Sequence, residues 1–190
     1  MRNIYIDFDG VMINHLDKLV KLYNKDFEKD ERFRQLKSSD IQTWNLDELE
    51  LINYTDRIKY FEDERFFNGL ELREDFKEAI QKIQNSGIYN IVIITMGSDR
   101  NIRLKTEFID KKMHNIGIEY SIICLNTKEF EDKSHIDMQN SVFIDDSVRN
   151  IETSNAKTKI LFGDKRGWNK SYRGVRLNNW GDIIEYLNID

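Results

Sequence analysis

Five short apolar runs punctuate the sequence, and helical patterns separate the later ones. The runs are Asn3 to Phe8, Tyr89 to Thr95, Tyr120 to Leu125, Ser141 to Asp145 and Lys159 to Phe162. Several are nearly continuous Ile/Val stretches, the pattern of strands buried on both faces. Leu72, Phe76, Ala79, Ile80 and Ile83 recur at helical spacing, and that helix closes at Asn85-Ser86-Gly87. Ser98-Asp99 starts the next helix, Asp146-Ser147 another, and Trp180 to Leu187 forms the last. Strands alternating with helices predict an α/β fold with a doubly wound parallel sheet.

One stretch breaks the rhythm. About eighty residues separate the first and second runs, far more than a single crossover needs. They carry helical patterns around His15 to Phe27, Leu46 to Arg57 and Ile58 to Glu64, and they are rich in aromatics. The division expected is a main domain of residues 1–13 and 68–190, with a helical insertion at 14–67 lying over the sheet.

Composition excludes several classes. Net charge is -5 with no dense run of Lys or Arg. Extended nucleic acid is therefore not an expected partner, since backbone binding needs clustered positive charge. No apolar run approaches the roughly 20 residues of a membrane helix, and no signal-peptide core follows the start. The single cysteine, Cys124, lies in the run Ser121-Ile122-Ile123-Cys124-Leu125 and is expected as a buried strand thiol. One cysteine makes no internal disulfide, so a reducing cytoplasm is the expected setting.

The strand ends carry the chemistry, because ligands of open parallel sheets bind beyond the carboxyl ends of the strands. The first run ends in Asp7 and Asp9, the second in Thr95-Met96-Gly97-Ser98 and the fourth in Asp145-Asp146, with Lys133 just before the fourth. Clustered carboxylates do not all ionise side by side without a cation, and hard oxygen ligands favour magnesium. A carboxylate beside that cation can attack phosphorus, a hydroxyl and helix-start amides near Ser98 can hold phosphate oxygens, and a lysine can neutralise developing charge.

In this order the segments Asp7-Phe8-Asp9-Gly10-Val11, Ile93-Ile94-Thr95, Lys133 and Phe143-Ile144-Asp145-Asp146 resemble the four motifs of the haloacid dehalogenase superfamily of phosphotransferases. The resemblance implies Asp7 as nucleophile and Mg2+ ligand. It implies Asp9 as the general acid and base, with its backbone carbonyl on the metal. Thr95 and the Met96 amide would bind phosphate, Lys133 would hold phosphate and Asp7, and Asp146 and Asp145 would complete the metal site.

The insertion falls where that family places its C1 caps. Ser39-Asp40-Ile41-Gln42-Thr43-Trp44, Phe66-Phe67-Asn68-Gly69-Leu70, the segment from Asp145 to Ile151, and the ending with Leu161-Phe162, Trp168-Asn169 and Asn179-Trp180 resemble the 5'(3')-deoxyribonucleotidases. That resemblance implies hydrolysis of a deoxyribonucleoside monophosphate, with the base stacked by cap aromatics, and leaves room for a homodimer. Trp44, Phe66, Phe67 and His15 are the expected substrate pocket. The alternatives are another small phosphate ester or a nucleic-acid 3'-phosphate on the same chemistry, or a non-catalytic nucleotide- or protein-binding module. Arg149 is expected in a salt bridge, and His114 and His135 at the surface. Lys165-Arg166-Gly167-Trp168 reads as a surface loop near the strand ends, without a role.

Overall fold

The computed structural model describes residues 1–189. Its strands are β1 (Arg2–Asp7), β2 (Tyr89–Gly97), β3 (Ser121–Asn126), β4 (Val142–Asp145), β5 (Thr158–Phe162) and β6 (Arg176–Leu177). Its helices are α1 (His15–Phe27), α2 (Tyr54–Lys59), α3 (Glu64–Phe67), α4 (Glu74–Ser86), α5 (Asp99–Asn115), α6 (Val148–Thr153) and α7 (Trp180–Tyr186). The strands form one parallel sheet in the order β3-β2-β1-β4-β5-β6. The chain runs outward from β1 to β3, returns to β4, and runs outward the other way, so helices fall on both faces.

Alternation along the strands sorts the core into two layers. Ile4, Ile6, Ile91, Ile93, Val142, Ile144, Ile160 and Phe162 pack with the buried faces of α4, α5 and α7. Tyr5, Val92, Ile94, Phe143 and Leu161 pack with Ile151 of α6 and Met138. Helix α4 shows why its sequence becomes a helix. Phe76, Ala79, Ile80 and Ile83 form its buried stripe, and Gly87 ends it at φ +63°, its N–H bonded to the Gln84 carbonyl.

Residues 14–67 supply α1, α2 and α3 between β1 and α4. The buried face of α1, with Leu16, Leu19, Val20 and Tyr23, joins the first layer of the sheet core. Two clamps tie the insertion to the rest. Asn101 and Arg100, at the start of α5, donate to the carbonyls of Phe61 (2.5 Å) and Glu62 (2.9 Å). Arg166 donates to the carbonyls of Ser38 (2.6 Å) and Ile41 (3.1 Å).

Two expectations fail here for physical reasons. The helix expected over Leu46 to Arg57 forms only from Tyr54 on. Upstream, the Glu48 carboxylate takes the Gln42 and Thr43 amides and the Thr43 hydroxyl, the Asp47 amide bonds back to Thr43, and Leu46 sits at φ +59°. These side-chain bonds compete with the helical ladder. Cys124 is exposed, not buried, because β3 is the edge of the sheet. Among the described residues no helix is long and apolar enough to cross a membrane.

Candidate active site

Parallel strands deliver their carboxyl ends to one edge, and β1 and β4 end there in acids. Asp7, Asp145 and Asp146 each place a carboxylate oxygen within 4.8 Å of the others, and Asp7 and Asp145 are buried. Lys133 is 1% exposed and comes from the loop after β3. Its ammonium bonds Asp7 and, at 2.6 Å, Asp145. Asp132 steadies that loop, accepting the Ser134 amide at 2.9 Å and Arg149 Nε at 3.2 Å. Arg149 also pairs with Glu131, so its salt-bridge role is structural.

The acids are short of positive charge. Burial pushes the Asp7 carboxyl up to about 7; Lys133 opposes this, while Asp145 and Asp9 add to it. Burial, then the charges of Asp7, Asp145 and Asp9, push Asp146 well above the usual carboxylate range. Burial disfavours the Lys133 ammonium, yet Asp145 and Asp7 hold it above its ordinary value. Three converging carboxylates with that deficit are a donor set that fits a hard divalent cation. The two acids of β4 differ in their commitments. Asp145 also accepts the Ser147 amide at 2.7 Å and Asn150 Nδ2 at 3.1 Å. Asp146, half-buried, lies against Gly10, where any Cβ would overlap its carboxylate and φ is +76°.

A second buried ammonium reaches the edge from the opposite face of the sheet. Lys105, on α5 and 3% exposed, bonds the Asp9 carboxylate, Thr95 Oγ1 at 3.1 Å and the Met96 carbonyl at 2.7 Å. Sequence reasoning missed it. The available signal was a lysine inside an apolar stripe, since Leu104, Lys105, Phe108, Ile109 and Met113 share the buried face of α5. Ser98 starts α5, as expected. Its hydroxyl caps α5 at the Asn101 amide and donates to Glu62 at 2.5 Å, so it is held by the insertion.

The expected pocket residues separate. His15 lines a cleft of about 230 Å³ beside Gly10 and Asp146, together with Ser38, Arg166 and Trp168. Burial lowers its pKa, against the charge of Asp9. Phe66 is 1% exposed and packs edge-on against Phe61 and Phe67, so it belongs to the core of the insertion. Phe67 packs on Phe66 and Phe108. Trp44 is 60% exposed and meets Trp168 edge-on at 6.1 Å. Neither Phe66, Phe67 nor Trp44 is among the residues that line the cleft. The loop around Trp168, read as surface without a role, instead forms one wall of it. His114 and His135 are exposed.

The family model described as 5' nucleotidase, deoxy (pyrimidine), cytosolic type C protein matches residues 1–189. The chain belongs to this family. Among curated proteins no sequence matches it. Solved structures share its fold. A predicted phosphoglycolate phosphatase from Haemophilus somnus superposes with a TM-score of 0.63 at 15% identity, covering 98% of each chain. A haloacid dehalogenase superfamily hydrolase from Geobacter sulfurreducens gives 0.58 at 15% identity, over 98% of this chain and 96% of that one. A hydrolase of the same superfamily from Deinococcus radiodurans, described with bound phosphate and sodium, gives 0.59 at 12% identity, over 98% and 95%. The fold is thus the haloacid dehalogenase fold, and the family makes the protein a phosphoric monoester hydrolase of nucleotidase type.

Proposed function

We propose that the protein is a magnesium-dependent phosphatase of deoxyribonucleoside monophosphates, acting in the cytosol through an aspartyl-phosphate. The convergence of Asp7, Asp145 and Asp146 under buried Lys133 carries the chemistry, and membership of the family carries the substrate class. Asp7 and Asp146 would hold Mg2+ directly, with the Asp9 carbonyl, because Asp145 is already engaged by Lys133, Ser147 and Asn150. When bound, the cation screens the carboxylates and the incoming phosphate, which lets an anion approach an anion.

Asp7 attacks phosphorus, and the bond from phosphorus to the ester oxygen breaks. Asp9 gives that oxygen its proton. Asp9 then takes a proton from water, which attacks the phosphorus, releases inorganic phosphate and restores Asp7. Asp9 Oδ2 is held by Lys105, whereas Oδ1 is buried without a partner among the described residues, so Oδ1 is the oxygen that handles the proton. Thr95 and Lys133 hold phosphate oxygens while charge spreads over them. Residues 14–67 act as a cap that excludes water.

The test is phosphate release from nucleoside monophosphates and sugar phosphates, with magnesium or with a chelator. Deoxyribonucleoside monophosphates should lead, and Asp7→Asn should abolish turnover. Full activity in Asp7→Asn, or activity indifferent to the chelator, would overturn the mechanism.

A further inference from the structure

Three buried side-chain polar atoms lack a hydrogen-bond partner among the described residues: Asp9 Oδ1, His15 Nδ1 and Trp168 Nε1. Asp9 and His15 are six residues apart and Trp168 is distant from both, yet the three gather at one end of the molecule. Asp9 belongs to the catalytic edge, and His15 and Trp168 both line the cleft beside Asp146. An unpaired buried donor or acceptor costs about 1–3 kcal/mol. Native proteins keep such groups where a ligand or bound water completes them.

Trp168 narrows what the ligand is. An indole N–H donates and never accepts, so its missing partner is an acceptor. The β5–β6 loop is built to hold that ring in place. Buried Asn169 accepts the Arg166 amide at 2.8 Å, gives its Nδ2 to the Asp164 carbonyl at 3.2 Å, and its own carbonyl takes Arg176 at 2.6 Å. The Arg166 guanidinium lies 5.7 Å over the Trp168 ring.

Charge and size narrow it further. Apart from Asp146, the charged side chains lining the cleft are Arg73 and Arg166 against Asp17 and Asp164, two of each sign. That balance suits an uncharged group better than a second phosphate. The cleft, about 230 Å³, falls below the range of about 300–1,000 Å³ typical of drug-sized ligands, so it suits one small leaving group and not a strand.

We infer that Trp168 is a specificity-determining residue: its Nε1–H donates to an uncharged oxygen acceptor, a base carbonyl or sugar hydroxyl, on a leaving group held in the cleft between Asp146 and the β5–β6 loop. His15 is the second polar contact. The inference rests on the phosphatase reading for the position of the breaking bond, and not on the substrate being a nucleotide.

Trp168→Phe removes the N–H and keeps a smaller aromatic ring, so an ester with no oxygen acceptor serves as the control for the lost ring area. The probes are thymidine 5'-monophosphate, ribose 5-phosphate and phenyl phosphate, whose leaving group carries no acceptor beyond the ester oxygen. For the better of the two oxygen-bearing esters, kcat/KM should fall about tenfold in the variant. For phenyl phosphate it should fall by much less, the share owed to ring area alone. Equal loss on every ester, or no loss on any, overturns the inference. Indole nitrogen NMR on the wild type reads the same bond without a variant. The chain has three tryptophans, and Trp180 Nε1 is already bonded to the Val11 carbonyl at 3.1 Å. Thymidine or ribose, added with inorganic phosphate, should move the Trp168 signal downfield; no movement with either also overturns the inference. A protein that takes ribose 5-phosphate and no nucleotide would sink the nucleotide reading alone, provided the Trp168→Phe loss still follows the acceptor.

Discussion

At the scale of single residues, the two buried lysines divide the site between them. Lys133 comes from the second layer and meets Asp7 and Asp145; Lys105 comes from the first and meets Asp9 and Thr95. Burying an ammonium is expensive unless it is paired, and Lys105 has one carboxylate partner among the described residues. It stands 3.1 Å from Thr95 Oγ1, so a phosphate held by that hydroxyl lies within its reach. Lys105→Met should therefore lower kcat by roughly 100-fold, the scale of losing one preorganised donor. Lys105→Arg should not restore it, because a planar fork does not replace a compact ammonium with three partners. Steady-state kinetics on both variants, with folding checked by circular dichroism, reads the outcome. The positions of Asp7 and Asp145 were legible in the sequence because each follows a run of Ile, Val or Phe that only a buried strand explains. Lys105 was not, because one lysine within a helix of many charges stands out only once the buried face of that helix is known.

At the scale of elements, what the sequence concealed is what depends on long-range contact. Strand β6 has two residues, Arg176 and Leu177, too few for any periodicity. Trp44 and Phe66 are both aromatics of the segment between β1 and α4, and nothing local separates the exposed one from the buried one. Their fates differ in energy as well. Phe66→Ala should cost about 3–5 kcal/mol by opening a cavity in the insertion, whereas Trp44→Ala should stay within about 0.5 kcal/mol. Urea denaturation of the two variants checks the contrast. The contact between the β5–β6 loop and the insertion gives a second case. Gly167 donates its amide to Gln42 Oε1 at 3.0 Å, and a Cβ there would overlap the Gln42 carbonyl oxygen. Gly167→Ala should push the insertion off the loop, raising KM several-fold at a stability cost of about 1–3 kcal/mol, in the range of overpacking. Limited proteolysis should find the segment from Ser38 to Trp44 cut faster in this variant.

At the scale of the whole molecule, one edge of the sheet gathers acids that the fold alone does not neutralise. Burial raises the Asp7 pKa from 3.8 to about 7, and Asp146 moves in the same direction. For an acid whose folded-state pKa lies above its unfolded value, the folded state binds the extra proton. Stability contributed by that group is thus highest at low pH and is lost as pH rises through the interval from 3.8 to about 7. A divalent cation needs the carboxylates ionised, so its stabilisation runs the opposite way and grows over the same interval. Magnesium at about one hundred times its dissociation constant should add about 2.7 kcal/mol. For a chain of this size that is a rise of roughly 5–11 °C in Tm. Differential scanning calorimetry near pH 8 should show this rise, and near pH 5 a much smaller one, as protons hold the sites the metal would take. Asp146→Asn removes one ligand and one repelling charge together. It should raise the Tm of the metal-free protein at the higher pH and remove most of the magnesium response. A metal response of equal size at both pH values, or one that survives intact in Asp146→Asn, would place the cation elsewhere in the molecule.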